Sequence, residues 1–228
     1  MTEEFRQYRF AVPPGATDLI IVRHGESAPY RTGTTVPDWN GQGDPALGPV
    51  GREQALLLAD RLRHEQVDAI YVTPLRRTSE TIAPLAERLG ITPVVEPDLR
   101  EVHLGEWEGD GKFGRNIREG HEIALRMFAE QRWDVIPGAE STADFATRLR
   151  RGITRIAEAH PDQRVVVVVH GGVIGTLLSI ATGSEGFAFI TADNASISEI
   201  VVQGDRWIVR RFNDITHLDP VLSAARTT

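Results

Sequence analysis

The segment VVVVVHGG at residues 165–172 decides the fold of this chain. Its five valines are apolar at every position, a pattern typical of a strand that is covered on both faces, as in a parallel sheet. Two glycines follow His170, and an apolar helical period comes after them, at Val173, Ile174, Leu177 and Leu178. The segment therefore predicts a buried strand that ends where a helix begins, and Gly183 is the natural end of that helix.

Two other runs have the same character, LIIV at residues 19–22 and AIYV at residues 69–72. Apolar residues at positions i, i+3, i+4 and i+7 predict an amphipathic helix after each run. These residues are Ala55, Leu58, Ala59 and Leu62 in the first helix and Ile82, Leu85, Ala86 and Leu89 in the second. The second helix is expected to end at Gly90.

A further helix is predicted to begin at Ser141, with Asp144 completing a capping box, and to end before Pro161. Residues 196–212, interrupted at residues 203–205, predict a hairpin. This order of elements predicts an α/β fold, a three-layer sandwich whose mainly parallel sheet has an antiparallel edge. We expect one domain over residues 1–228, with an insertion or cap at residues 110–136. Residues 31–49, which hold four glycines and three prolines, are expected to form a loop.

Composition excludes several classes of protein. The chain has 228 residues, 41% hydrophobic and 25% charged, which is typical of a soluble globular protein. No apolar stretch approaches the roughly 18 residues of a membrane span, and no secretory signal pattern is evident, so we expect a cytoplasmic protein. There is no cysteine, which removes thiolate nucleophiles and sulfur-held metal centres. The net charge of -7 argues against nucleic acid as a partner.

Candidate chemistry lies where the predicted strands end, because ligands of parallel sheets bind beyond the carboxyl ends of the strands. The first strand leads into Arg23 and His24, and the valine strand leads into His170 and Gly171. Either histidine alone is more typical of a hydrogen-bonded turn. Two histidines at equivalent strand ends, each beside glycine, favour a functional pair.

The third strand end carries Arg76 and Arg77 in TPLRRT, residues 73–78. Positive charge is disfavoured at a helix N-terminus by the helix dipole, so two arginines there indicate an anionic partner. A phosphate group would fit, with helix N–H groups as further donors.

Other kinds of site are poorly supported. The sequence has no H-x-H or H-E-x-x-H pattern, so neither a metal nor another cofactor is expected. The P-loop and the serine-hydrolase motif G-x-S-x-G are also absent. The remaining chemistry is an imidazole nucleophile in an arginine-lined anion pocket.

Taken together, these motifs resemble the histidine phosphatase superfamily, in its phosphoglycerate mutase-like branch. The resemblance runs from residue 19 to about residue 200. The matching motifs are LIIVRHGES (19–27), TPLRRTSET (73–81), LRE (99–101), Gly105, WEG (107–109) and VHGGV (169–173).

The resemblance implies a role for each matching residue. His24 would be the nucleophile that becomes phosphohistidine, and Glu101 would be the proton donor and then the base. The transferring phosphoryl group would be bound by Arg23, Arg77, His170 and Gly171. The residues alone do not choose Glu101 over Glu26, Glu106 or Glu108, so that choice rests on the resemblance.

The sequence departs from the family pattern in two places. Mutases carry E-R-H-Y-G after the catalytic acid, where this chain has Glu101-Val102-His103-Leu104-Gly105, so hydrolysis is favoured over mutase action. Pro29 and Tyr30 replace a tryptophan–asparagine pair whose asparagine often binds phosphate, and Arg31 or Thr32 are the weak substitutes. The sequence leaves open what the loop at residues 28–51 and the segment at 110–136 contribute to specificity. An apolar substrate wall could be formed by Trp39, Trp107, Phe113 and Trp133, although packing is the more typical role of such residues.

The sequence thus predicts a metal-independent phosphatase that hydrolyses small phosphate monoesters through phosphohistidine. Two alternatives stay open: a phosphoglycerate mutase-type phosphotransferase and a non-catalytic protein that binds a phosphorylated ligand. The expected partner is a small phosphorylated substrate, with neither nucleic acid nor membrane, and a homodimer is left open.

Overall fold

The computed structural model describes residues 4–30 and 36–218. Eight strands lie in these residues: β1 (Thr17–Arg23), β2 (Asp38–Trp39), β3 (Gln42–Gly43), β4 (Ala69–Val72), β5 (Val94–Val95), β6 (Arg164–Val169), β7 (Ile197–Gln203) and β8 (Arg206–Asp214). The same residues hold six α-helices: α1 (Pro49–Leu62), α2 (Arg76–Leu89), α3 (Lys112–Arg118), α4 (Glu122–Glu130), α5 (Thr142–Ala159) and α6 (Gly171–Thr182).

Six strands form the main sheet, in the order β5-β4-β6-β1-β7-β8. Strands β5, β4, β6 and β1 are parallel, whereas β7 and β8 run antiparallel at one side. The predicted mainly parallel sheet with an antiparallel edge is therefore confirmed, as is the hairpin at its end. The parallel register pairs Val22 with Val168 and Arg23 with Val169, so the residues that follow the two strands are neighbours.

Both faces of the sheet are buried, as the continuous apolar runs predicted. Val165, Val167 and Val169 pack with α5 and α6 on one face, and Val166 and Val168 pack with α1 and α2 on the other. Burying apolar surface contributes about 25 cal/mol per Å². One apolar cluster on each face joins the sheet to the helices on that side, which gives the three layers of the sandwich.

The helix ends agree with their sequence signals. Gly90 and Gly183 follow α2 and α6 in the left-handed conformation, and α5 ends at Ala159, two residues before Pro161. The cap of α5 differs in one detail from the expected box. The Asp144 N–H donates to the Ser141 hydroxyl oxygen, and that hydroxyl donates to the Asp144 carboxylate, which does not reach back to the Ser141 backbone.

Two stretches differ from a simple loop or a detached insertion: one contains a short hairpin, and the other packs against the main body of the protein. Residues 31–49 were predicted to be a loop, and their described part contains the short hairpin of β2 and β3, so this prediction is wrong there. Residues 110–136 hold α3 and α4, and Ala124 and Met127 of α4 belong to the same apolar cluster as α5 and α6. Among the described residues, no helix has the length and apolarity to cross a bilayer.

Candidate active site

His24 and His170 lie side by side at the ends of β1 and β6. The His24 N–H donates to the Val169 carbonyl, continuing the strand pairing by one residue. The two imidazole rings are 5.2 Å apart between centroids, in an edge-to-face arrangement. The parallel register thus brings together two residues that are 146 positions apart in the sequence.

The tautomer of His24 is fixed by its own loop. Its Nδ1 lies 2.7 Å from the Gly25 carbonyl oxygen, which can only accept, so Nδ1 carries the proton. Nε2 therefore holds a lone pair. Burial, then the charges of Arg77 and Arg23, hold the pKa of His24 well below its usual value. The ring is neutral at physiological pH, as an attacking nucleophile must be.

Arg77 supplies a buried guanidinium group, and Arg23 supplies a second one that is half-buried. Burial lowers the pKa of each below its ordinary value, although both groups remain cationic at neutral pH. Arg77 donates to the Gly43 carbonyl oxygen at 3.1 Å, and its nearest carboxylate, that of Asp44, is 3.9 Å away. Arg23 donates to the Ala192 carbonyl, and its Nε has no partner among the residues the structure describes. Buried cations with spare donors are suited to an anion.

Glu101 faces the same site from the segment after β5. Its carboxylate accepts from the Val102 N–H at 3.0 Å and the Gly172 N–H at 3.1 Å. Burial raises the pKa of Glu101, while these two hydrogen bonds and the two arginines oppose the rise. A side chain at Gly172 would place its Cβ 2.6 Å from Oε1, so glycine is required for this approach. A carboxyl group with a raised pKa can act as a general acid.

Gly171 begins α6 beside Arg23. A Cβ placed there would lie 3.5 Å from the Arg23 Nε, which shows how closely the helix start approaches the guanidinium group. All six residues of the expected site, His24, Arg23, Arg77, Glu101, His170 and Gly171, therefore lie in one region. Their roles in catalysis stay predictions.

Residues that the sequence did not single out fix the backbone around His24 through hydrogen bonds. The Asn194 amide and the Ala195 N–H both donate to the His24 carbonyl, at 3.0 and 3.2 Å. The Thr81 hydroxyl accepts from the Gly25 N–H at 2.9 Å. Thr81 lies within the motif quoted at residues 73–81, but the spacing of that motif carries no sign of which backbone group the hydroxyl reaches.

Arg148 of α5 anchors the segment that carries Glu101. Its guanidinium group, 5% exposed, donates to the carbonyl oxygens of Asp98, Arg100 and Glu101 at 2.7 to 2.9 Å. It also forms a two-pronged ion pair with Glu140, at 2.6 and 2.7 Å. An isolated arginine in a chain with 24 arginines gives no sequence signal, so this role could not be predicted.

The loop after His24 is clamped to the start of α1. A Cβ at Gly25 would lie 2.7 Å from the Gly51 carbonyl oxygen, and a Cβ at Gly51 would lie 2.0 Å from the Glu26 carbonyl oxygen. Neither position has room for a side chain. The contact fixes both ends of the loop at residues 26–50 and with them the backbone that orients His24.

The rim of the site comes from the loop and from the segment at 110–136. The Tyr30 ring occupies a slot beside Gly43 and Gly111, where a Cβ would lie 2.8 Å and 3.0 Å from the tyrosine. Arg31 and Thr32, the weak substitutes for the missing asparagine, lie outside the described residues. Trp107 and Trp133 are 6% and 4% exposed. They serve mainly in packing, whereas Trp39 and Phe113 are partly exposed.

Within residues 4–30 and 36–218, no group of three or more histidine, aspartate or glutamate side chains is arranged to hold a metal ion. The cations of the site are its two guanidinium groups.

This chain is similar to known proteins over most of its length. The family model of the histidine phosphatase superfamily (branch 1) matches residues 19–215. The metal-independent phosphoserine phosphatase of Arabidopsis thaliana is 32% identical over 210 residues, which cover 90% of this chain and 84% of the relative. A probable phosphoglycerate mutase of Photorhabdus laumondii subsp. laumondii is 29% identical, covering 88% and 94%.

Solved structures show the same fold. A mycobacterial glucosyl-3-phosphoglycerate phosphatase superposes with a TM-score of 0.71 at 29% identity, over 87% of this chain and 99% of its own. The expected phosphoglycerate mutase-like architecture is confirmed. With the family model matching most of its length, this chain belongs to the histidine phosphatase superfamily, branch 1.

Proposed function

We propose that the protein is a phosphatase that hydrolyses small phosphate monoesters through a phosphohistidine at Nε2 of His24. The observation that carries the proposal is the state of His24. Its ring is neutral, its proton is held on Nδ1, and its Nε2 lone pair lies 3.3 Å from the Arg77 Nε. A phosphoryl group that binds the arginine is therefore placed next to the nucleophile.

In the first step, Nε2 attacks phosphorus and the bond from phosphorus to the ester oxygen breaks. Arg23 and Arg77 neutralise the charge on the equatorial oxygens, while His170 and the N-terminus of α6 at Gly171 donate hydrogen bonds to them. Preorganised charge and donors of this kind supply most of the rate in phosphoryl transfer. Protonated Glu101 gives its proton to the departing alkoxide. An approaching phosphate adds negative charge near Glu101 and so favours its protonated form.

In the second step, Glu101 takes a proton from water, and the oxygen of that water attacks phosphorus. The bond between Nε2 and phosphorus breaks, inorganic phosphate leaves, and His24 returns to its neutral form. Glu101 ends protonated, ready for the next ester, so the two steps balance in protons. The two guanidinium groups supply the positive charge that these steps need, and we propose that no metal is required.

Phosphatase action is favoured over the two alternatives. Relatives and solved neighbours include proteins named as phosphatases of phosphoserine and of glucosyl-3-phosphoglycerate. Against mutase action, Val102 and Leu104 stand where mutases carry arginine and tyrosine after the catalytic acid. Against a binding protein without catalysis, the residues expected to act as nucleophile, acid and phosphoryl-binding groups lie in one region, where His24, Arg77 and His170 are buried.

We extend the proposal to three further points. The substrate is a small phosphorylated alcohol. Phosphoserine is the first to be tested, because a relative of this chain is a phosphoserine phosphatase. Residues 110–136 form a cap within a single domain, which the shared apolar cluster of Met127 with α5 and α6 supports. The enzyme acts in the cytoplasm, which cell fractionation would check.

The test is turnover and trapping in the presence of EDTA. The purified protein should release phosphate from p-nitrophenyl phosphate and from phosphoserine. Brief incubation with ³²P-labelled substrate should leave label on the protein that is stable in alkali and lost in acid. The His24→Ala variant should lose both signals, and His64→Ala, at an exposed surface position, should keep them. Turnover that survives His24→Ala would overturn the proposal.

A second assay separates hydrolysis from mutase action. The enzyme is given 3-phosphoglycerate with a bisphosphorylated primer, and both isomerisation and phosphate release are followed. Phosphate release without isomerisation supports the proposal. Isomerisation without phosphate release would establish the phosphotransferase instead.

A further inference from the structure

Thr73 lies at the end of β4 with its hydroxyl against the second histidine of the site. The Thr73 Oγ1 is 2.9 Å from the His170 Nε2, and the two residues are 2% and 0% exposed. A hydroxyl can donate to a ring nitrogen or accept from it, so the distance alone leaves two tautomers of His170 open.

The neighbours of Thr73 limit where its proton can go. The Thr78 hydroxyl lies 2.8 Å from the Leu75 carbonyl oxygen and 3.1 Å from the Thr73 carbonyl oxygen, so it donates to one of these acceptors. The Thr73 Oγ1 accepts from the Leu75 N–H at 3.3 Å. Its own proton then has two acceptors, the His170 Nε2 at 2.9 Å and the Thr78 Oγ1 at 3.2 Å. The shorter distance favours donation to His170.

The other nitrogen of His170 decides what this means for the substrate. Nδ1 is buried and has no hydrogen-bond partner in the described part of the chain. The ring lies edge to face with that of His24, where the phosphoryl group must sit. If Nε2 carried the proton of a neutral ring, Nδ1 would present a lone pair to phosphate oxygens and repel them.

We propose that Thr73 is a positioning residue whose hydroxyl donates to the His170 Nε2 and so confines the proton to Nδ1, which then donates to the transferring phosphoryl group. The inference rests on the proposed function and deepens it. It makes His170 a neutral hydrogen-bond donor, while the two arginines carry the positive charge.

The charges around His170 agree with a neutral ring. Burial is the main cause that holds the pKa of His170 well below its usual value. Arg77, His24 and Arg23 at the site, and Arg148 from α5, lower this pKa further. Glu101, whose carboxylate accepts from the N–H of Gly172, two residues after His170 along the chain, is the carboxyl group of the proposed site, and burial raises its pKa. A neutral imidazole has one proton, so its location matters.

The direct test is the ¹⁵N spectrum of His170 in the full chain with saturating inorganic phosphate, assigned by comparison with the His170→Gln variant. We expect one N–H, on Nδ1, and an unprotonated Nε2, unchanged between pH 5.5 and 8. In Thr73→Val, which keeps the shape and removes the hydroxyl, both tautomers should appear. Thr73→Ser should restore the wild-type spectrum. The phosphate-loaded protein is used without turnover, so this result stands apart from the test of hydrolysis.

Kinetics provide the second readout. Thr73→Val should lower kcat/KM for p-nitrophenyl phosphate about 10- to 100-fold, the range found when a metal-binding histidine loses the hydrogen-bond partner that fixes its tautomer. Thr73→Ser should return kcat/KM to within a few-fold of the wild type. The matched control is Thr147→Val on the exposed side of α5, which should leave both spectrum and rate unchanged. Should Thr73→Val fail to fold, Thr73→Ala and Thr73→Ser provide the same comparison.

Three outcomes would overturn the inference. One is a proton on Nε2, or on both nitrogens, in the phosphate-loaded wild type. The second is a spectrum that does not change when the hydroxyl is removed. The third is a loss of activity in Thr73→Val that is matched in Thr73→Ser. Serine keeps the hydroxyl, so an equal loss would show that the hydrogen bond to His170 is not the cause.

Discussion

The Nε of Arg77 donates to the Nε2 of His24 across 3.3 Å, so the proposed phosphate-binding cation and the proposed nucleophile are in direct contact. The bond occupies the lone pair that would attack phosphorus, and an incoming phosphate must take the guanidinium group over. The same contact keeps a proton away from Nε2. In the proposed mechanism, Arg77 thus protects the nucleophile before it positions the substrate.

Replacing Arg77 should affect both roles. Arg77→Met removes a charge that lowers the pKa of His24, so that pKa should rise and the acid limb of the kcat/KM profile should move to higher pH. The plateau should fall by about 10²- to 10³-fold, as for loss of one donor to a transition-state oxyanion. The control is Arg76→Met on the neighbouring, exposed position of α2, which should change little. A profile that keeps its acid limb in Arg77→Met would contradict this account.

Gly172→Ala should separate the role of the catalytic acid from phosphate binding. The added Cβ would lie 2.6 Å from the Glu101 Oε1 and must displace the carboxylate. The rate with phosphoserine, a poor leaving group, should fall about 100-fold or more, whereas p-nitrophenyl phosphate needs less protonation and should lose much less. Equal losses for both substrates would argue against Glu101 as the proton donor.

The control for that substitution is Gly114→Ala in α3, where a new Cβ meets no atom within 4 Å. It should leave both rates unchanged. It should also raise the free energy of unfolding by about 0.5 to 1 kcal/mol, the usual gain when alanine replaces glycine within a helix.

Arg148→Met should be among the most destabilising single changes in the chain. The substitution leaves the Glu140 carboxylate without its ion-pair partner and removes the hydrogen-bond donor of three carbonyl oxygens. We expect a loss of about 3 to 5 kcal/mol in the free energy of unfolding, measured by urea denaturation. The double variant with Glu140→Gln should recover part of this loss. An additive loss in the double variant would show that the pair is not the cause.

Acid should weaken the fold through Asp98. Hydrogen bonds from Arg151 and Arg155 lower its pKa to about 2, below the ordinary value of 3.8. A carboxylate with a lowered pKa in the folded state adds stability above its unfolded pKa, and that stability is lost as pH falls towards 2. In Asp98→Asn, the Tm at pH 7 should drop by a few degrees. The Tm difference from wild type should shrink between pH 4 and pH 2, and a constant difference would contradict the assignment.

Much of the fold could be predicted because its signals are local. Five valines in a row specify a strand buried on both faces, and the glycines after α2 and α6 specify where those helices end. The strand-end positions of His24 and His170 followed from the same runs, and the parallel register explains why two such histidines meet.

The rest of the site depends on contacts that a sequence does not encode locally. Glu101 is one of several glutamates in its segment, and only the approach of Gly172 shows that its carboxylate enters the site. The hydrogen bonds that join Thr73 to His170 and Arg148 to Glu101 link residues that are 97 and 47 positions apart. The sequence predicts only a loop at residues 31–49 because glycine and proline are typical of turns. The hairpin of β2 and β3 has strands of two residues, too short to give a strand pattern.

The mutual exclusion of side chains at Gly25 and Gly51 has a consequence for how new specificities could arise. With both ends of the intervening stretch held together, insertions, deletions and substitutions there can reshape the substrate entrance while the nucleophile keeps its place. A library that randomises exposed positions of this stretch and spares Gly43, whose carbonyl oxygen holds Arg77, together with the flanking Gly25 and Gly51 is the natural starting point for redirecting the enzyme to other phosphate esters.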